Sequence, residues 1–237
     1  MKERVEVRHG KLPVILVAPH GADDTYTGEL TKACADRLDC SAIINWGFER
    51  ADVVDVLNDR ADCNRIDHIE QDVVREEFLD QIVRLRNRLS FAIPQGKKPY
   101  VYIYYIHGFG KQVEEAMKTK IDLILGYGES EIKPSYTCPQ WIIDMLIHEW
   151  EENIYTVGDV FCGKPGGPYA ARMKNNLCQL YTKHMNDTFV RSAQIEVCQR
   201  LRCNKQTAMW TGSVLANPLR EILSSDHFDL VIDRKYV

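Results

Sequence analysis

Two histidines and two neighbouring aspartates give this sequence the chemistry of a catalytic metal site. His20 stands in Pro-His-Gly and is followed closely by Asp23 and Asp24, while His107 lies far along the chain in a second His-Gly pair. Two imidazoles and one carboxylate form a usual ligand set for catalytic zinc, which leaves a fourth position open. Each residue by itself also suits a structural role, as a loop hydrogen bond, a helix cap or a core position. Together they predict one zinc ion per chain, with Asp23 and Asp24 both open as the acidic ligand.

Glu196 is the candidate general base. It stands between Ile195 and Val197 in a β-prone stretch, where a buried carboxylate is costly unless it is paired or used in chemistry. Beside a zinc-activated water, a carboxylate can accept a proton and later return it. Strand alternation agrees equally well with a Glu196 side chain that faces solvent, so the sequence leaves both orientations open.

A polar segment after the second predicted strand offers groups that could bind a substrate. Asn64 and Arg65 place an amide beside a guanidinium, and such a fork can hold a carboxylate through two charge-assisted hydrogen bonds. Arg65 could instead form a surface ion pair with Asp62 or Asp67. Arg50 could polarise a scissile carbonyl group, although a solvated or paired arginine is the alternative.

The composition bounds the class of protein. The chain has 237 residues, 45% of them hydrophobic, and a formal net charge of -4. This is enough apolar material for one core, and we expect residues 1–237 to form a single domain. The negative charge argues against a nucleic-acid partner bound through its phosphates. The apolar runs fall short of the ~20 residues that span a bilayer, and the amino terminus lacks an apolar signal core, so we expect a cytoplasmic protein without a membrane partner.

The eight cysteines contain no Cys-x-x-Cys pair. Several lie inside apolar patterns, which is typical of reduced thiols packed in a core. A cysteine hydrolase that uses one of these thiols with His107 is a weaker alternative, and Cys63 is the only cysteine near the candidate site.

Predicted strands and helices alternate along the chain. We predict strands at 12–18, 41–46, 100–106, 120–125 and 189–197, and helices at 27–38, 72–89, 138–152, 170–183 and 205–224. Thr27 is the expected N-cap of the first helix, Pro218 should kink or divide the last, and 156–168 should be a loop. The pattern predicts an α/β fold with a mixed, mostly parallel sheet that is covered on both faces. In such a sheet ligands bind outside the carboxyl ends of the strands, where the candidate site residues fall.

Short motifs in the sequence resemble those of a known family. They are Pro19-His20-Gly21 with a following acid and Thr27, Asp62-Cys63-Asn64-Arg65, the strand that ends in His107-Gly108, and Gln194-Ile195-Glu196 followed by Leu201-Arg202. Together they resemble the N-formylglutamate amidohydrolases and the related phage poly-γ-glutamate hydrolases. The resemblance implies a single three-layer α/β domain of the zinc-peptidase, phosphorylase/hydrolase-like type.

The resemblance also implies residue roles. His20 and His107 match the zinc histidines, Asn64 and Arg65 the carboxylate clamp, and Glu196 the base. Gly166 and Gly167 lie in a segment similar to a glycine-bearing substrate loop of the deformylases. The carboxypeptidase spacing would select Asp23 as the acidic ligand, whereas the poly-γ-glutamate hydrolase spacing, counted back from Thr27, selects Asp24, which we prefer.

These matches imply a zinc-dependent hydrolase. Its expected substrate is a small anionic N-acyl amino acid of the N-formylglutamate type, or a γ-glutamyl peptide, cleaved at an amide bond by metal-activated water. A metal- or anion-binding module of the same fold, without hydrolytic activity, is the alternative.

Overall fold

The computed structural model describes residues 3–92, 100–153 and 159–232, and within them seven strands form one sheet. The strands are β1 (Val5–Arg8), β2 (Leu12–Ala18), β3 (Cys40–Asn45), β4 (Val101–Phe109), β5 (Leu123–Gly126), β6 (Val160–Cys162) and β7 (Val190–Cys198). Their order across the sheet is β1-β3-β2-β4-β7-β5-β6.

The sheet is mixed and mostly parallel, as predicted. The pairs β2–β3, β2–β4, β4–β7 and β5–β6 are parallel, and the pairs β1–β3 and β5–β7 are antiparallel. Because β2, β4 and β7 are parallel neighbours, their carboxyl ends meet at one edge of the sheet. This edge positions the candidate site.

Helices cover both faces of the sheet. They are α1 (Thr27–Leu38), α2 (Ile66–Ile69), α3 (Asp72–Val74), α4 (Asp80–Ala92), α5 (Lys111–Met117), α6 (Gln140–Asn153) and α7 (Lys205–Ile232). Residues of β4 alternate between the two cores: Tyr104 and Ile106 pack with α1, α6 and α7, while Ile103 and Tyr105 pack with α4. The three-layer α/β arrangement is therefore confirmed.

Most predicted elements are present. The predicted strands correspond to β2, β3, β4, β5 and β7, and four predicted helices correspond to α1, α3 with α4, α6, and α7. A π-helical turn at Arg75–Leu79 joins α3 to α4. The short strands β1 and β6 and the helices α2 and α5 were not predicted, and β6 lies within the segment expected to be a loop. Strands of three or four residues carry too little periodicity to be recognised.

The helix predicted at 170–183 is wrong. Ala171 has a left-handed φ of 56°, and only short turns follow, at Leu177–Gln179 and Leu180–His184. Backbone hydrogen bonds instead attach this segment to the polar loop before α2: Leu177 N donates to Asn64 O at 2.9 Å, and Ile66 N donates to Asn175 O at 2.9 Å. Tertiary pairing therefore replaces the local helix.

Two details at helix positions also differ from expectation. Thr27 is the first residue of α1 rather than its N-cap, a position that Tyr26 takes without a side-chain hydrogen bond. Pro218 lies inside α7 without dividing it, and the neighbouring Leu215 and Leu219 are buried in the core. In the described part of the chain, no helix is both long enough and apolar enough to cross a membrane.

Candidate metal centre and active-site cavity

His20, Asp24 and His107 lie together at the carboxyl ends of β2 and β4. One ligand atom of each residue lies within 4.8 Å of the others, a spacing that a single metal ion could bridge. Asp24 Oδ2 is 3.7 Å from His20 Nδ1 and 3.9 Å from His107 Nδ1. His20 follows β2 by two residues and His107 lies within β4, so the parallel pairing of these strands brings the histidines together.

Asp24, rather than Asp23, faces the two histidines. Its Oδ2 also accepts a hydrogen bond from Gly108 N at 3.1 Å, and Thr27 Oγ1 donates to its backbone oxygen at 2.9 Å. Asp23 is exposed, and its Oδ2 accepts a hydrogen bond of 2.7 Å from Arg50 N. The turn after β2 thus separates two adjacent carboxylates, which the sequence left as alternatives.

Asp62 orients the ring of His20. His20 Nε2 lies 2.8 Å from Asp62 Oδ1, which also accepts a hydrogen bond of 2.9 Å from Asn64 N. When Nε2 donates to this carboxylate, Nδ1 keeps its lone pair on the side of Asp24. A carboxylate behind a histidine is the usual support for a metal ligand.

Carboxylates surround His20, and the two histidines differ in pKa. Burial works against a charged His20, but hydrogen bonds with Asp24 and Asp62 outweigh it and raise the His20 pKa. Burial also opposes ionisation of Asp24, yet His20 and His107 hold its pKa below the usual value. Burial, with the charge of His20, lowers the pKa of His107 to about 3, which keeps that ring neutral. His107 Nε2 is buried and has no hydrogen-bond partner in the described structure, so this ring has unused coordination capacity.

Arg50 lies against the same cluster. Its guanidinium contacts His20 Nδ1 and approaches Asp24 Oδ1 at 3.8 Å. The side chain is 52% exposed, so it has room to turn away when another group approaches His20.

Glu196 lies on β7 beside His107, its register partner on β4. Ile195 and Val197 point into the core, so strand alternation turns Glu196 toward the opposite face, where it borders the cavity and is only 6% exposed. The solvent-facing orientation that the sequence left open is therefore wrong. Burial, together with the charge of Asp24, raises the Glu196 pKa to about 8.

A polar cavity of about 500 Å³ connects these groups. His20, Asp23, Asp24, Arg50, Asn64, His107 and Glu196, all candidates from the sequence, are among its lining residues. Asn64 Oδ1 is buried and has no hydrogen-bond partner in the described structure. The cavity therefore offers acidic, basic and amide groups around one space.

Three other predicted residues lie outside this lining. Arg65 pairs with Asp67, with Nη2 at 2.7 Å from Oδ2, and this contact occupies the guanidinium at the surface. Gly166 is exposed and has a left-handed φ of 77°. Gly167 borders an adjoining apolar cavity of about 310 Å³, which Tyr169 shares with the polar one. The structure thus places Asn64 of the predicted clamp in the cavity lining, but Arg65 and the two loop glycines outside it.

Sequence patterns did not identify several residues that line or support the cavity: Asp62 behind His20, and Tyr169, Asn176, Gln194 and Arg202 in the lining. Gln194 had a detectable signal, since it lies two residues before Glu196 and shares its strand face. Arg202 had no such sequence signal beyond its place in the motif, because the turn after β7 brings its side chain to the cavity.

Cys63 does not suit the role of a nucleophile. It is fully buried, outside the cavity lining, and burial with the charge of Asp62 raises its pKa well above the ordinary value. Nucleophilic cysteines need an accessible thiolate. The cysteine-hydrolase alternative therefore loses its structural basis.

No protein-family model and no curated protein matches the sequence, but solved structures share its fold. An N-formylglutamate amidohydrolase from Ralstonia eutropha JMP134 superposes with a TM-score of 0.57 at 13% identity, over 94% of this chain and 99% of that chain. A gene product of Agrobacterium tumefaciens gives 0.55 at 13% identity, over 96% of each chain. A bacteriophage poly-γ-glutamate hydrolase gives 0.52 at 11% identity, over 95% and 89%. These similarities confirm the predicted fold.

Proposed function

We propose that this protein is a zinc-dependent hydrolase that cleaves the amide bond of a small anionic N-acyl amino acid of the N-formylglutamate type, or of a γ-glutamyl peptide. The observation that carries the proposal is the cluster of His20, Asp24 and His107 in one cavity with Glu196. The fold shared with an amidohydrolase and a poly-γ-glutamate hydrolase supports the reaction class.

His20, Asp24 and His107 would hold the zinc ion. Two imidazoles and a carboxylate are suitable donors for zinc, and one ligand atom of each residue lies within 4.8 Å of the others. Bound there, zinc would supply Lewis-acid chemistry at the scissile carbonyl. Asp62 holds His20 in the tautomer that a ligand requires.

Glu196 moves the proton. It accepts a proton from the attacking water and then returns it to the departing amine nitrogen. Its pKa is raised to about 8, and a bound cation would lower this pKa, because a nearby positive charge favours the carboxylate. A carboxyl group with a pKa near the working pH can serve in both directions.

Arg50 and Asn64 act on the substrate. The half-exposed guanidinium of Arg50 stabilises the negative charge that develops on the carbonyl oxygen. Asn64 Oδ1, buried and without a partner in the described structure, accepts a hydrogen bond from a substrate N–H group. Both residues border the same cavity as Glu196.

The test is hydrolysis by the purified protein before and after chelation. We expect zinc-loaded protein to release L-glutamate from N-formyl-L-glutamate, or an amino acid from a γ-glutamyl peptide, and chelated protein to recover activity when zinc returns. A protein that binds zinc at the cluster and cleaves neither substrate would contradict the proposal and favour the non-catalytic binding module.

A further inference from the structure

Arg202 is a buried cation in the wall of the polar cavity. Its side chain belongs to the cavity lining, yet the residue is only 5% exposed. It follows β7 in a short turn and donates three hydrogen bonds, all to backbone carbonyl oxygens: from Nε to Val197 at 3.1 Å, from Nη1 to Thr25 at 2.8 Å and from Nη2 to Phe109 at 3.1 Å. Each terminal nitrogen keeps a second N–H group without a described partner.

No ion pair compensates this charge among the residues that the structure describes. Asp24 and Glu196 act on the guanidinium through space, but neither forms an ion pair with it. Burial of a charge is costly unless an opposite charge accompanies it. A buried guanidinium that borders a cavity without a paired carboxylate is therefore suited to an anionic ligand.

The other two arginines near the site differ from Arg202. Arg65 pairs with Asp67 at 2.7 Å and lies outside the cavity lining. Arg50 borders the cavity but approaches Asp24 at 3.8 Å and is half exposed.

Gly108 allows the Arg202 guanidinium to lie close to the candidate metal ligands. A Cβ atom at this position would lie 2.2 Å from Arg202 Cζ, so the guanidinium packs directly against the backbone next to His107. Carbonyl groups at the ends of β4 and β7 and in the turn before α1 hold it there. Such a rigidly held guanidinium loses little freedom when it binds a planar anion.

We infer that Arg202 forms an anion subsite that binds a carboxylate group of the substrate, the role that the family resemblance assigns to Arg65. The inference rests on the proposed function. The free N–H groups on the two terminal nitrogens can donate to the two oxygens of one carboxylate. The alternative is that Arg202 only connects the backbone at Thr25, Phe109 and Val197.

The experiment combines a protein change with a ligand change. Binding is measured by calorimetry on zinc-loaded Glu196→Gln protein, which limits turnover, with three ligands: N-formyl-L-glutamate, its γ-amide and its α-amide. The same measurements are made after Arg202→Met, and after Arg65→Met as the matched control. Melting temperature and zinc content are recorded for every variant.

If the inference is correct, Arg202→Met weakens binding of N-formyl-L-glutamate by about 10- to 100-fold, the range of charge-assisted hydrogen bonds. In the protein that retains Arg202, one of the two amides binds more weakly than the acid by a similar factor. Arg202→Met adds little to that loss of affinity. Arg65→Met leaves the preference for acid over amide unchanged. The loss of affinity from the ligand's amide and the loss from Arg202→Met could instead multiply for both amides. Arg202 then does not bind a carboxylate, and the inference is overturned.

Arg202→Lys covers the case in which Arg202→Met does not fold. Lysine keeps the charge but lacks the fork, so we expect the preference for acid over amide to fall at least about fivefold. An unchanged preference would indicate that the residue only connects these backbone segments.

Hydrolysis by the unmodified protein separates the two proposals. If the protein hydrolyses the substrate but the two losses of affinity multiply, only the anion subsite is rejected. If Arg202→Met adds little to the loss from the amide and no hydrolysis occurs, the hydrolase is rejected and the subsite is kept. If the protein with Arg202 binds none of the ligands, both proposals are rejected.

Discussion

Gln194 Nε2 donates a hydrogen bond of 2.8 Å to Glu196 Oε1, and the two side chains share one face of β7. The amide oxygen of Gln194 in turn accepts a hydrogen bond of 3.3 Å from Asn176 Nδ2. The orientation of Glu196 therefore depends on the irregular segment that contains Asn176. A buried carboxylate held in this way loses little entropy when a substrate arrives.

Replacement of Gln194 tests this positioning. We expect Gln194→Leu to lower kcat by about tenfold and to leave KM and zinc content nearly unchanged, because Glu196 loses its donor while the ligands and the substrate contacts remain. Gln194→Glu, similar in shape but without the amide donor, should not restore kcat. A purely structural role would instead lower the melting temperature and leave kcat intact.

Replacement of Glu196 tests its role as the base. Glu196→Gln keeps the shape of the side chain but removes its proton-accepting power, so the rate should fall by about 10²- to 10⁴-fold. Zinc should stay bound, since Glu196 is not a proposed ligand, and calorimetry should show that N-formyl-L-glutamate still binds. Activity within a few-fold of the parent would show that another group accepts the proton.

The adjacent aspartates provide a matched pair for the metal site. Asp24→Asn should reduce zinc from about one ion per chain to a small fraction, because a neutral amide is a poor replacement for a carboxylate ligand. Asp23→Asn, one residue away and hydrogen-bonded to Arg50 N, should retain zinc. Elemental analysis after dialysis measures both. Equal loss in the two variants would contradict the assignment of Asp24.

Asp62 should affect zinc affinity without being a ligand. Asp62→Asn weakens the hydrogen bond that orients His20, and loss of such support costs about 10- to 100-fold in metal affinity. Competition with a chromophoric chelator measures the dissociation constant. His20→Ala serves as the reference for loss of a ligand, and its effect should be larger.

The ion pair of Arg65 with Asp67 predicts a change in acid stability. Hydrogen bonds from Arg65 and Asn175 lower the Asp67 pKa to about 2, below its value in the unfolded chain. The carboxylate therefore contributes to stability at pH values above ~4 and loses this contribution as the pH falls toward 2. We expect Asp67→Asn to show a smaller fall in melting temperature between about pH 4 and pH 2 than the parent. Arg65→Met should likewise reduce the fall in melting temperature over this pH range. Parallel curves of melting temperature against pH for the parent and the variants would contradict the prediction.

The strands and the cluster of candidate residues were predictable because both depend on local pattern. Continuous apolar runs indicate the central strands β2 and β4. Because ligands bind at the carboxyl ends of such strands, the sequence predicts that His20 and His107 lie near each other. The segment 170–183 shows the limit of local pattern. Its apolar spacing favours a helix, but hydrogen bonds to residues more than a hundred positions away, at Asn64 and Ile66, determine its shape.

The sequence by itself determined the fold class, the residue types of the candidate metal site and the polarity of the cavity edge, because strand propensity and parallel pairing follow from residue patterns. Only the tertiary structure decided which of Asp23 and Asp24 faces the histidines and which way Glu196 points. It also decided that Arg65 pairs with Asp67 while Arg202 borders the cavity. These choices depend on turns and side-chain directions, where neighbouring residues with the same chemistry lie in different environments once distant segments pack together.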